Sequence, residues 1–133
     1  MVNKTRVPLA QEADIVGARQ KGRELAMEAG FSGSDLTLIA TAISEIARNT
    51  IVHATGGEMF LGITWEGSRR GILVIARDEG PGILDVEQAM QDGFSTVKSL
   101  GLGLPGARRL MDEFRIVSEV GKGTTVTMKK WLR

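Results

Sequence analysis

Glu45 and Asn49, in the stretch "SEIARNTIVHA", stand four residues apart and share one side of any helix that carries them. An amide oxygen is a hard donor that suits Mg2+, and a carboxylate beside it can orient or deprotonate a nucleophile. A polar helix flank has the same composition, so the pair alone decides nothing. In "ARDEGPG", Asp78 closes the apolar run "GILVIA" and is followed by Gly80, Pro81 and Gly82. A carboxylate at a strand end can accept a hydrogen bond from an amino group such as the exocyclic amine of adenine. Gly80 and Gly82 permit positive φ and close ligand approach, and Pro81 stiffens the turn. A plain surface loop would look the same in isolation. The segment "SLGLGLPGARRL" is a glycine-rich loop opening a helix, with Pro105 at a plausible first helical position. Free amides of Gly101, Leu102, Gly103 and Leu104, with the positive helix end, form an anion site suited to phosphates. The segment lacks the GxxxxGK[ST] pattern and does not follow a strand as a dinucleotide fingerprint would. In "GKGTT", by default a hairpin turn, Thr124 starts a strand and would set a hydroxyl beside a base held by Asp78.

These residues need elements to hold them. "TRVPLA" reads as a short strand, with Pro8 suggesting an edge. A helix is expected from Glu12 to Ala29, with Ile15, Ala18, Leu25 and Ala29 on its apolar face and Gly30 as the stop. Ser34 suits the N-cap of a second helix running to about His53, with Ile39, Ile43, Ile46 and Thr50 lining its core face. Ser44 and Arg48 are expected to point away from that face, and Glu45 and Asn49 to lie along its edge. "EMFLGITW" and "GILVIARD" predict a hairpin across "EGSRRG". A short helix over "DVEQAMQ", a helix "ARRLMDEF" and a final hairpin, "RIVSEV" and "TTVTMKKW", complete the reading. Trp65 and Trp131 are expected in the core or an interface, and Arg108, Arg109, Lys129 and Lys130 in solvent. His53 would pack or cap the end of its helix. Two helices before one strand pair and a helical block before another favour an α/β two-layer sandwich. Its sheet would be mixed and mostly antiparallel, with helices on one face.

The bulk numbers narrow the chemistry. At 133 residues, 42% hydrophobic and 25% charged, the chain fits a single globular domain spanning 1–133. Seventeen basic against 16 acidic residues leave a net charge of +1, so no global field points to nucleic acid or a membrane surface. With no Cys and one His, disulfides, thiolate catalysis and His-rich metal sites fall away. No signal-peptide core or membrane-length apolar run is seen, so a cytosolic location is expected.

Each motif is modest, but their order is informative. Glu-x-x-x-Asn, Asp-x-Gly-x-Gly, Gly-x-Gly opening a helix and Gly-x-Gly-Thr before the last strand follow one another from residue 45 to 124. Together they resemble the N, G1, G2 and G3 boxes of the GHKL (Bergerat) ATP-binding fold, shared by gyrase, histidine kinases and MutL. Within it, "DIVGARQKGRELAMEAGFS", "TAISEIARN", "DGFST", "GLGLPGARRLMDEF" and the terminal "KWLR" are similar to the anti-sigma-factor serine kinases, in particular the stressosome switch kinases. The resemblance implies ATP and Mg2+ as cofactors, Glu45 as the base or orienting carboxylate for an attacking serine, and Asn49 as Mg2+ ligand. It implies adenine recognition by Asp78 with help from Thr124, a base pocket shaped by Gly80 and Gly82, and phosphate binding by Gly101 to Leu104. Ser95, Thr96 and Lys98 would lie in a lid over the triphosphate. The implied reaction is phosphoryl transfer to Ser or Thr of a partner carrying a STAS-type domain. The family also implies binding and activation of a PP2C-type phosphatase. A histidine-kinase half would need an upstream helix pair carrying a phospho-acceptor His, and a gyrase- or MutL-like ATPase a transducer domain; neither is recognisable in the sequence. The serious alternative is a nucleotide-binding interaction module with dispensable catalysis.

Overall fold

The computed structural model describes residues 4–54, 56–82 and 103–133. Helix α1, Ala13–Ala29, is anchored at its start by Asp14, whose carboxylate accepts the amides of Ala10 (2.8 Å) and Gln11 (3.1 Å). It stops at Gly30, whose N–H donates to the carbonyls of Ala26 and Met27. Its expected apolar face, Ile15, Ala18, Leu25 and Ala29, is buried, and Gly22 joins it because a Cβ there would collide with Ile43. Helix α2, Ser34–His53, follows. The expected cap at Ser34 is corrected: Ser34 already has helical geometry, the cap position falls to Gly33, and no side chain closes it.

Five strands form one sheet in the order β1-β2-β3-β5-β4: β1 Lys4–Leu9, β2 Gly57–Glu66, β3 Arg69–Asp78, β4 Glu113–Glu119 and β5 Gly123–Trp131. Every pairing among the described strands is antiparallel, so the expected mixed, mostly antiparallel sheet is antiparallel throughout these elements. Pro8 lies on the edge strand β1, as its missing donor requires. The period of two divides each strand between faces. Met59 and Leu61 of β2, Ile72, Val74 and Ala76 of β3 and Val126 and Met128 of β5 are buried in one core with α1 and α2. The opposite face carries Arg6, Glu58 and Arg77, where Glu58 accepts a 2.6 Å bond from each arginine. Those hydrogen bonds, from Arg6 first and Arg77 next, hold the Glu58 carboxyl below its ordinary range.

The third described helix, α3 Gly103–Leu110, packs against α2; it begins and ends four residues before the expected "ARRLMDEF". Asp112 turns the chain, its N–H donating to the Lys129 carbonyl, and Lys130 Nζ donates to the Leu110 carbonyl at 3.0 Å. Phe114 is thereby released into β4, where it shares the inner face with Ile116 and packs against the core. Lys130 is therefore a helix-end partner rather than a solvated charge. Lys129 sits 5.8 Å from the centroid of the Trp131 ring. Trp131 is buried as expected, but Trp65 is 54% exposed and belongs to no core. His53, the last residue of α2, is exposed. The expected helix over "DVEQAMQ" lies outside the described residues. Among the described residues no helix is long and apolar enough to cross a membrane.

Candidate functional site

Glu45 and Asn49 stand one turn apart on α2, and the helix buries them unequally: Glu45 is 7% exposed and Asn49 is half-buried. The burial of Glu45 has a structural cause that hydropathy concealed. Helix α3 packs against α2 and brings Leu104 and Ala107 into the core, and Ala40, Ser44 and Ala47 of α2 are buried beside its apolar stripe. Ser44, expected to point outward, is therefore buried, and its hydroxyl donates to the Ala40 carbonyl at 2.9 Å. Arg48 reaches back from the next turn to Glu45 Oε1 at 3.3 Å. A carboxylate removed from bulk water needs such a partner.

Asp78 ends β3 on the face that carries Val74 and Ala76, which is the face toward the helices. Its register partner on β5 is Thr124, and Thr124 in turn faces Ser118 of β4. A carboxylate and two hydroxyls thus form a row across three strands, with their Cβ atoms within the spacing of cross-strand neighbours. Asp78 Oδ1 accepts the Gly80 amide at 2.9 Å, and an ionised carboxylate has further acceptor sites. Thr124 is 9% exposed, and its hydroxyl lies 2.8 Å from that of Ser118. Ser118 was missed by the sequence reading, as was Gly57, which faces Asp78 on β2 and whose Cβ would collide with the Arg77 carbonyl.

The glycines of "DEGPG" have chain neighbours of their own. Gly80 does not adopt positive φ; a Cβ there would come within 2.7 Å of Ala54 Cβ, at the end of α2. Gly82 does adopt positive φ, at 79°, and its Cβ would collide with the Glu119 carbonyl. Gly121 N–H, in the β4–β5 turn, donates to the Pro81 carbonyl at 2.8 Å. Gly123, at φ 120°, leaves no room for a Cβ beside the Asp78 carbonyl. Glycines therefore let the end of α2, the loop after β3 and the β4–β5 turn meet at backbone distance around Asp78. Gly123→Ala would combine a φ that L-residues resist with a backbone collision. It is expected to cost at least about 2 kcal/mol, read as a lower urea midpoint with an unchanged slope.

Of the phosphate segment, Gly103 opens α3, and Leu104 is 3% exposed in the core, so only its main chain could meet a ligand. Pro105 is the third helical residue rather than the first, still within the turn whose amides need no helical partner. Gly101, Leu102, Ser95, Thr96 and Lys98 lie outside the described residues. A separate cleft of about 320 Å3 lined by Arg6, Gly56, Gly57, Glu58, Arg77, Asp78 and Glu79 touches Asp78 but none of Glu45, Asn49 and Thr124.

The donor set fits the groups that the motifs suggest. Asp78 and Thr124 offer oxygen acceptors side by side, as an amino-bearing base requires. Asn49 offers a neutral amide oxygen to a hard cation, while Glu45 is occupied by Arg48. The class follows from these features together with a direct match: residues 8–130 match the model of the histidine kinase-like ATPase domain, and the chain belongs to that family. ATP is the ligand this membership implies.

Individual relatives sharpen the picture. The chain is 47% identical, over the full length of both, to the serine/threonine-protein kinase RsbT of Bacillus subtilis (strain 168). It is 38% identical over 104 residues to the anti-sigma F factor of Geobacillus thermodenitrificans (strain NG80-2), covering 72% of this chain and 69% of the relative. Among solved structures, that of the RsbU and RsbW domains of a Mycobacterium tuberculosis protein superposes with a TM-score of 0.62 at 25% identity. The match covers 98% of this chain and 31% of the other.

Proposed function

We propose that this chain is an ATP- and Mg2+-dependent protein serine/threonine kinase acting as a partner switch. In this reading it phosphorylates Ser or Thr of a protein carrying a STAS-type domain and, once released, binds and activates a PP2C-type phosphatase. The full-length likeness to a serine/threonine kinase supports the activity, and the likeness to anti-sigma factors supports regulation through exchanged partners. The observation that carries the site is the Asp78–Thr124 register on the helix-facing side of the sheet, next to Gly57 and Gly80, which pack against Thr50 and Ala54 at the C-terminal end of α2.

When bound, ATP would supply the transferable phosphoryl group and Mg2+ the positive charge that offsets its phosphates. The chain's own work is positioning, which suits a reaction that needs alignment and charge stabilisation more than covalent chemistry. Asp78 and Thr124 hold the base and so fix where the far end of the nucleotide lies. Asn49 contributes an amide oxygen to the metal. Glu45, steadied by Arg48, would take the proton of the incoming serine hydroxyl as its oxygen bonds to the γ-phosphorus and the bond from that phosphorus to the bridging oxygen breaks, ADP leaving. The amides of Gly101 to Leu104 receive phosphate oxygens at the α3 end. In this reading Ser95, Thr96 and Lys98, which lie outside the described residues, would act on the triphosphate.

The test is incubation with γ-labelled ATP, Mg2+ and a STAS-domain protein that the chain captures. Label is expected on Ser or Thr of that partner. Firm partner binding with no label at any Mg2+ concentration would replace the kinase with a nucleotide-binding interaction module.

A further inference from the structure

Ser118 of β4 belongs to none of the four motifs, yet it completes the row Asp78–Thr124–Ser118 across β3, β5 and β4. Its hydroxyl donates to the Gly123 carbonyl at 3.3 Å and lies 2.8 Å from the Thr124 hydroxyl, a contact in which either oxygen could donate. Each hydroxyl has one proton. With the Ser118 proton directed to the Gly123 carbonyl, the Thr124 proton fills the 2.8 Å contact. Thr124 Oγ1 is then left with lone pairs for anything on its other side. The Gly123 carbonyl is fixed in turn, because Gly123 packs without a Cβ against the Asp78 backbone.

From this geometry we infer that Ser118 is a specificity-determining positioning residue: it polarises Thr124 into an acceptor, so that Asp78 and Thr124 together select a base bearing an exocyclic amine. The inference rests on the proposed base pocket and names what tunes it. An amine presents two N–H donors, matching a carboxylate and an acceptor-only hydroxyl placed side by side. A keto oxygen in the same position would face lone pairs from both. Ser118→Ala removes the group that takes the Thr124 proton, and the hydroxyl becomes free to turn and donate.

The test compares ATP with purine riboside triphosphate, which lacks the amine, by titration calorimetry on the whole chain. Wild type is expected to prefer ATP. Ser118→Ala should weaken ATP roughly threefold to tenfold and leave the amine-free nucleotide within about twofold. Ser118→Thr, which keeps the hydroxyl, should restore the preference. Thermal melts of each variant check that the fold is intact. Equal losses for both nucleotides, or none for ATP, would overturn the inference. Asp78→Asn separates it from the reading beneath it. If Asp78→Asn abolishes the ATP preference and Ser118→Ala retains it, the role of Ser118 alone fails. If wild type binds both nucleotides equally, the base pocket fails as well.

Discussion

Glu45→Ala is expected to lower phosphoryl transfer from ATP to the protein acceptor about 100-fold or more, within the range typical of a lost general base. ATP affinity should stay within about threefold, because in the proposed role the carboxylate acts on the incoming hydroxyl rather than on the nucleotide. Two contributions need separating. The side chain is 7% exposed and paired with Arg48 at 3.3 Å, so truncation also leaves a guanidinium without that partner. Arg48 is about one-third exposed and can turn toward water, which keeps this structural cost small. Glu45→Gln gives a cleaner test: it preserves the length and an oxygen for Arg48 while removing the basicity. Both variants should lose transfer to a similar extent, with melting temperatures near that of wild type. A glutamine variant that transfers at the wild-type rate would reduce Glu45 to a packing residue with a charge partner.

That Glu45 is buried is also where the sequence said least. The core stripe of α2, Ile39, Ile43, Ile46 and Thr50, and that of α1 were legible because large apolar residues recur at helical spacing. Outside that stripe α2 also buries Ala40, Ser44 and Ala47, small residues on a helix against which α3 packs. Their hydropathy is neutral, so no period marks them. The strands were legible for the opposite reason, since alternation and turn glycines set their limits strongly. The end of α3 was missed because "LMDEFRI" satisfies both periods. Long-range partners decide it: the Lys129 carbonyl and the Lys130 ammonium stop the helix, and Phe114 pairs with Met128 in the sheet.

The site shows the same division. Asp78 and Thr124 could be singled out as types in motifs, but their adjacency comes from a register between β3 and β5 that spans 46 residues of chain. Ser118 carried no signal beyond being a polar residue in "RIVSEV", since only the β4–β5 register brings it to Thr124. The glycines around Asp78 were legible as special, although their local reason is contact between chain segments as much as room for a ligand.

Asn49→Ala is the second large effect expected, and its signature is the metal. A half-buried asparagine on a plain polar flank would tolerate alanine within about 0.5 kcal/mol. A ligand to the metal would not: its loss should reduce transfer at least about 100-fold at fixed Mg2+. Calorimetry with and without chelator distinguishes the two. Wild type should bind ATP more tightly with Mg2+ than in its absence, and Asn49→Ala should lose that difference while keeping the chelator-treated affinity. The proposed base contacts at Asp78 lie on β3, another element, and should be unaffected by the substitution. Asn49→Asp retains an oxygen donor, adds a charge and should recover part of the Mg2+ dependence, with transfer between the two. If Asn49→Ala gains as much from Mg2+ as wild type does, the amide is not a ligand, and the α2 end contributes only Glu45 to the chemistry.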